Sequence, residues 1–178
     1  MNSIDAQKST PLHVAATYNN SGVVRLLLNA PDIRVTVEDY QNQNVLHRAA
    51  KEGHYKVVMV VLDHLEACED GEVTLKTMMS TKDTRGATPF MLAVQSGHPV
   101  TLKTFLDRAN SSPFVDKPNN INENPLHMAC RSGDTETAEL LVQHGASINK
   151  CNDFNESPLF LAADYCENKD LVEFLVKQ

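Results

Sequence analysis

One tetrapeptide occurs five times along the chain, and this repetition limits the possible folds more than any other feature. The copies are Thr10-Pro11-Leu12-His13, Asn44-Val45-Leu46-His47, Thr88-Pro89-Phe90-Met91, Asn124-Pro125-Leu126-His127 and Ser157-Pro158-Leu159-Phe160. Their starts lie 34, 44, 36 and 33 residues apart. A period of this length predicts an array of similar units, each of which covers its apolar face with its neighbours.

Residues at fixed distances from each tetrapeptide agree as well. Small residues follow five and six positions after each start, at Ala15-Ala16, Ala49-Ala50, Ala93-Val94, Ala129-Cys130 and Ala162-Ala163. Five positions before each start the residue is Asp or Asn, at Asp5, Asp39, Asp83, Asn119 and Asn152. Because independent positions agree in all five copies, we interpret the pattern as a true internal repeat.

The chemistry of the repeat predicts a short helix followed by a longer one. Thr, Asn or Ser at the tetrapeptide start is a helix N-cap, and proline suits the first helical position. Gly53, Gly97 and Gly133, nine residues after the cap, are predicted to end the short helix. The residues two positions before the cap tolerate positive φ in a tight turn, here named the finger turn; they are Asn42, Gly86, Asn122 and Asn155.

This combination resembles the ankyrin-repeat family, whose signature has a 33-residue period and the motif T-P-L-H-x-A. The resemblance extends from Asp5 to Gln178. It implies an all-α solenoid of helix-turn-helix pairs with finger loops, arranged as a curved array in a single domain, residues 1–178. The five repeats would be approximately 5–38, 39–82, 83–118, 119–151 and 152–178. The chain departs from the motif at Val45, Met91 and Phe160, and it has Asn19 and Cys166 where glycine is usual.

The spacing of 44 indicates about eleven inserted residues after the second repeat. The second helix of that repeat is predicted to continue through His64 and Leu65 into an acidic turn, Glu66 to Glu72. Leu75, Met78 and Met79 then follow at helical spacing, which predicts an extra helical turn packed on the outer side. A docking site between Glu66 and Met79 is the alternative. A smaller insertion at residues 110–113 predicts a surface loop.

Composition excludes several functions. The net charge of -7 without a basic stripe argues against nucleic acid as a partner. The sequence has no signal peptide and no apolar run long enough to enter a membrane. The four cysteines form no C-x-x-C pair, so we expect reduced thiols and a cytoplasmic location. Neither terminal repeat has a polar cap, which predicts that the chain belongs to a longer ankyrin array.

Catalytic and metal-binding patterns are absent from the sequence. It contains no H-E-x-x-H, no C-x-x-C and no phosphate-binding G-x-x-x-x-G-K. The ankyrin resemblance assigns His13, His47 and His127 a structural hydrogen bond between repeat loops. Cys130 shares its position with alanine and valine in other repeats, which predicts a small core residue. We therefore expect no catalytic residue, no cofactor, no metal ion and no enzymatic activity.

The ankyrin resemblance places partner contacts on the finger tips and on the exposed side of the first helices, along the concave face. The candidate residues are Tyr40, Gln41, Thr84, Arg85, Gln95, Asn120, Ile121, Arg131, Asp153, Phe154, Asp164 and Tyr165. The other finger positions, at Gln43, Ala87, Glu123 and Glu156, vary in the same way. Aromatic residues and arginine dominate interface energetics, which favours Tyr40, Arg85, Arg131, Phe154 and Tyr165. Alternatively, Phe154 and Tyr165 pack on each other or on a further repeat.

The function that these features favour is a protein-protein interaction module. A second hypothesis is a cytoplasmic N-terminal regulatory domain of a membrane protein, such as a transient-receptor-potential cation channel. A third is an appendage of an enzyme. Fold alone does not choose among these three classes, because function depends on the site.

Overall fold

The computed structural model describes residues 2–108, 114–165 and 168–178, in two compact units, Met1–Ala109 and Asn110–Gln178. The first unit contains α1 (Pro11–Thr17), α2 (Ser21–Leu28), α3 (Val45–Lys51), α4 (Tyr55–Glu66), α5 (Gly71–Ser80), α6 (Pro89–Gln95) and α7 (Pro99–Arg108). The second contains α8 (Pro125–Ser132), α9 (Thr135–Gln143), α10 (Pro158–Tyr165) and α11 (Lys169–Val176). The described ranges contain no strand, and the predicted all-α fold is confirmed. The division into five repeats and the single domain remain predictions.

Each first helix begins where the tetrapeptide predicts. Side-chain oxygens of Thr10, Asn44, Thr88 and Asn124 accept the backbone N–H three residues on, at 3.1–3.4 Å. Ser157 Oγ accepts the N–H of Phe160 at 3.2 Å in the same way. Proline is the first residue of α1, α6, α8 and α10. A cap of this kind is worth about 1 kcal/mol, so the repeated motif fixes the start of each short helix.

Both predicted turns have the expected backbone. Gly53, Gly97 and Gly133 follow the first helices with φ of 71°, 65° and 72°, and Asn19 takes the same role with φ 57°. The finger turns have positive φ at Asn42, Gly86, Asn122 and Asn155, and also at Lys8. Cys166, which occupies the glycine position of the last copy, and the predicted loop at 110–113 lie outside the described residues.

Within each unit, the first helices of the repeats pack on one another, and so do the second helices. In the first unit α1 contacts α3 and α3 contacts α6, while α2 contacts α4 and α4 contacts α7. In the second unit α8 contacts α10 and α9 contacts α11. The small residues allow this close stacking, since Ala49, Ala50 and Ala129 are fully buried. Ala163 differs and is exposed.

The insertion after the second repeat is a complete helix, so the prediction of a single extra helical turn is wrong. Helix α4 continues to Glu66 as expected, and α5 then covers ten residues. Met78 and Met79 are 1% and 0% exposed, and α5 contacts both α4 and α6. The amide of Asn44 also donates to the carbonyl of Met78 at 2.9 Å. This burial stabilises a helix longer than the single turn that Leu75, Met78 and Met79 predicted.

None of the helices in the described ranges is both long enough and apolar enough to cross a membrane.

Candidate partner-binding face

Three histidines connect the start of a first helix to the following finger. In His13, His47 and His127, Nδ1 accepts the backbone N–H of the N-cap residue at 3.1, 3.2 and 3.2 Å. Nε2 donates to the carbonyls of the residues before the next cap, Gln43, Ala87 and Glu156, at 2.9, 3.3 and 3.2 Å. With both ring nitrogens bonded and the rings buried, these histidines are structural, as predicted.

Burial sets the protonation of these rings. Desolvation lowers the pKa of His47 to about 4, although Asp83 and the carbonyl of Ala87 act in the opposite direction. Burial likewise lowers the pKa of His13 and of His127 below the ordinary value. All three rings are therefore neutral near pH 7, which leaves the Nδ1 lone pair free to accept its hydrogen bond.

The cysteines and acidic residues form no assembled centre in the part of the chain that the structure describes. Cys130 is fully buried in α8, as its position in the repeat predicts, while Cys68 and Cys151 are exposed thiols. No group of three or more His, Cys, Asp or Glu side chains in these ranges is placed to hold a metal ion.

The finger turns depend on the Asp or Asn at their first position. Asp39 Oδ1 accepts the N–H groups of Gln41 and Gln43, at 2.7 and 3.0 Å. The same pair of bonds recurs at the four equivalent residues, Asp5, Asp83, Asn119 and Asn152. Burial alone would raise the pKa of Asp39, but these N–H donors and the guanidinium of Arg48, 2.5 Å away, outweigh it and lower that pKa. The repeat pattern marked these residues, but their role was not predicted from it.

Consecutive fingers are joined through their backbones. The N–H of Tyr40 donates to the carbonyl of Gln7 at 2.9 Å, and the N–H of Thr84 donates to that of Gln41 at 2.9 Å. In the second unit the N–H of Asp153 donates to the carbonyl of Ile121 at 3.0 Å. The backbone at the tips is thus fixed, and the side chains there are free to differ.

In the first unit the predicted contact residues are all exposed. They are Tyr40, Gln41, Thr84, Arg85 and Gln95. The Nζ atom of Lys8 lies 5.9 Å from the ring centroid of Tyr40, which is 70% exposed. An open cleft of about 630 Å³ beside this ring is lined by Ala6, Gln7, Tyr40, Gln41 and Arg48.

In the second unit five predicted residues are exposed and two are partly buried. The exposed ones are Asn120, Asp153, Phe154, Asp164 and Tyr165, and the partly buried ones are Ile121 and Arg131. Arg131 forms an ion pair with the buried carboxylate of Glu123 and lies 5.5 Å from the ring centroid of Tyr165. Tyr165 therefore packs on Arg131, a neighbour that the sequence did not indicate.

Three other finger positions are buried, which contradicts their expected place on a variable surface. Gln43, Ala87 and Glu123, each directly before an N-cap, are 4%, 8% and 2% exposed. The Asp or Asn at the start of the finger accepts a hydrogen bond from the N–H of this residue. Gln43 Nε2 then donates to Asp83 Oδ2 of the next finger at 3.1 Å. Glu156, the fourth such residue, is half-buried.

Comparison with known proteins identifies the same repeat. A family model described as ankyrin repeats, in three copies, matches residues 1–70, 64–151 and 91–178, which together cover the chain. A transient receptor potential cation channel subfamily A member 1 homolog of Caenorhabditis elegans is 29% identical over 178 residues, all of this chain and 13% of the relative.

Two further relatives are proteins of other kinds. A putative palmitoyltransferase of Danio rerio is 26% identical over 181 residues, 89% of this chain and 28% of the relative. Ankyrin repeat and SOCS box protein 3 of Bos taurus is 30% identical over 157 residues, 87% of this chain and 27% of the relative. The chain thus spans less than a third of the length of these relatives.

Proposed function

The chain belongs to the ankyrin-repeat family, and we propose that it is a non-catalytic module that binds a protein partner through its finger turns and first helices. The proposal depends on one observation. Backbone hydrogen bonds fix consecutive finger tips within each unit, while large side chains at the tips stay exposed, as at Tyr40 and Phe154 (70% and 66%). A rigid support with exposed aromatic residues is the arrangement typical of recognition surfaces.

The chemistry of the buried groups supports a role without catalysis. The three tetrapeptide histidines have both ring nitrogens hydrogen-bonded to backbone groups, and Cys130 is buried in the core. The polar residues of the proposed face, in contrast, vary between repeats and reach solvent. We further infer five repeats in one domain, because each of the five tetrapeptides begins a helix that contacts the second helix of the same repeat.

The double variant F154A/Y165A tests the proposed face. The two rings are 66% and 56% exposed, so their removal should leave the melting temperature within a few degrees of wild type while partner binding is lost. The variant and the wild type are used as bait in affinity capture from lysate. The matched control is L26A/V73A, which removes side chains that are 74% and 69% exposed on α2 and α5.

Partners retained by the wild type and by the control, but not by F154A/Y165A, would support the face. Equal retention by all three proteins would contradict it. A large fall in melting temperature for F154A/Y165A would instead show that the two rings act in packing.

A second candidate function is a regulatory domain within a membrane channel. It is favoured by the alignment of all 178 residues with the channel homolog of Caenorhabditis elegans. The sequence of the full-length gene decides between the two. Apolar spans of about 20 residues beyond this region would favour the channel, and their absence from the complete gene product would favour an adaptor. The cytoplasmic location and the longer array belong to the same proposal.

A further inference from the structure

The negative charge of the chain is concentrated in its second unit. Residues 110–178 contain 5 Lys and Arg against 11 Asp and Glu, a net charge of -6 out of -7 for the whole chain. Residues 1–109 contain 11 basic and 12 acidic residues and are nearly neutral. The two units therefore differ in the charge that they present to a partner.

Within the second unit, two exposed carboxylates lie beside two exposed aromatic rings. We name Asp153, Phe154, Asp164 and Tyr165 the acidic aromatic surface. Asp153 and Phe154 form the tip of the last finger, and Asp164 and Tyr165 form the end of α10.

A series of contacts connects the tip of the last finger with the end of α10. Asn122 Nδ2 donates to Asp153 Oδ1 at 2.5 Å, which ties the last finger to the one before it. In that earlier finger, the carboxylate of Glu123 pairs with Arg131, and Arg131 lies against the ring of Tyr165. The last finger tip and the end of α10 thus both contact the same earlier finger, the tip directly at Asn122 and α10 through Arg131 at Glu123.

Three of the five basic groups of the second unit contact other residues. The guanidinium of Arg131 is neutralised by Glu123, whose side chain is 3% exposed. The Nζ atom of Lys150 lies 3.5 Å from the carbonyl of Asp116, and that of Lys177 pairs with Glu173 on α11 at 3.2 Å. Asp153 and Asp164 are both exposed, and neither is in an ion pair within the described part of the chain.

We propose that the acidic aromatic surface binds a basic segment of a protein partner, in which lysine or arginine residues flank an apolar side chain. The carboxylates would attract the basic groups, and the rings would cover the apolar side chain or a guanidinium. The chain already contains one contact between a ring and a guanidinium, because Arg131 lies against the ring of Tyr165. The inference rests on the proposed function and adds the chemical class of the partner.

The probe is a library of random twelve-residue peptides displayed on phage and selected on the whole chain. Enriched peptides should carry at least two basic residues next to an apolar one. Synthetic copies should bind D153N/D164N about fivefold more weakly than wild type, since exposed charge pairs contribute modestly to binding. Higher salt should weaken wild-type binding.

The control variant, E69Q/E72Q, changes the net charge by the same amount at two exposed residues of the first unit. It should bind the peptides within about twofold of wild type, because these carboxylates are not part of the acidic aromatic surface. Equal weakening by the two variants would show a general charge effect and contradict the assigned surface.

The outcomes separate the two proposals. Enriched peptides that are acidic or neutral, or basic peptides that bind D153N/D164N as tightly as wild type, would overturn this inference. The proposed function would still stand if F154A/Y165A weakened binding. Failure to enrich any sequence, or binding that none of the face variants changes, would contradict the proposed function and this inference with it.

Discussion

Replacement of His47 by glutamine should reduce the sensitivity of the fold to acid. The pKa of His47 is about 4 in the folded chain and 6.5 for an ordinary histidine. Between these pH values the unfolded chain binds a proton that the folded chain does not. The contribution of His47 to the free energy of unfolding is therefore complete above pH 6.5 and is lost as the pH falls towards 4.

The size of this effect follows from the shift in pKa. The free energy of unfolding should fall by about 2 kcal/mol between pH 7 and pH 5 on account of His47 alone, and by about 3 kcal/mol once the folded form is also protonated. His13 and His127 act in the same direction, because burial lowers the pKa of each. They are present in wild type and variant alike, so the difference between the two proteins isolates His47.

Urea unfolding followed by far-ultraviolet circular dichroism at pH 7 and pH 5 measures the difference. H47Q should be less stable at pH 7, because two buried hydrogen bonds are lost, yet its free energy of unfolding should decline by about 2 kcal/mol less than wild type on acidification. The control is L46A, at the fully buried adjacent residue, which lowers stability without removing a titrating group. L46A should keep the wild-type decline. The same decline in H47Q and wild type would refute the reasoning.

Two further predictions concern packing, and both are checked by the same unfolding assay. Leu126 is fully buried between helices, so Leu126→Ala should lower the free energy of unfolding by about 2–5 kcal/mol; near-wild-type stability would contradict its place in the core. A Cβ atom at Gly71 would lie 1.6 Å from the carbonyl oxygen of Leu65, so Gly71→Ala should be destabilising, by about 1–3 kcal/mol for an overpacked site. Gly22→Ala is its control, because a Cβ there meets open space and alanine favours the exposed helix by up to about 1 kcal/mol; similar losses in both variants would refute the steric explanation.

The parts of the fold that could be predicted from the sequence are those that local chemistry decides. The caps at Thr10 and Asn124, the first-turn prolines and the positive φ at Asn42 and Gly86 each depend on one residue and its immediate backbone. Repetition then distinguished these signals from chance. Ten of the twelve candidate contact residues are exposed, but the equally variable finger positions directly before three of the caps are buried, so variation between repeats predicts exposure only in part.

The parts that could not be predicted depend on contacts between distant residues. Gln43 is buried because its carbonyl accepts from His13 and its amide reaches Asp83 in the following finger. The ion pair of Arg131 with Glu123, and its contact with Tyr165 in the next first helix, likewise need the fold before they can be seen. The length of α5 was underestimated because its stability comes from contacts with α4 and α6 and not from its own sequence.

The inserted helix suggests where this scaffold would accept foreign sequence. Helix α5 lengthens the distance between tetrapeptides from 34 to 44 residues, yet the finger-to-finger bond across it, from Thr84 to Gln41, has the same 2.9 Å length as that from Tyr40 to Gln7. Closing the longer connection costs only about 0.2 kcal/mol more in chain entropy. A peptide tag or small domain grafted into the exposed turn at residues 67–70 should therefore be displayed without altering the register of the flanking repeats.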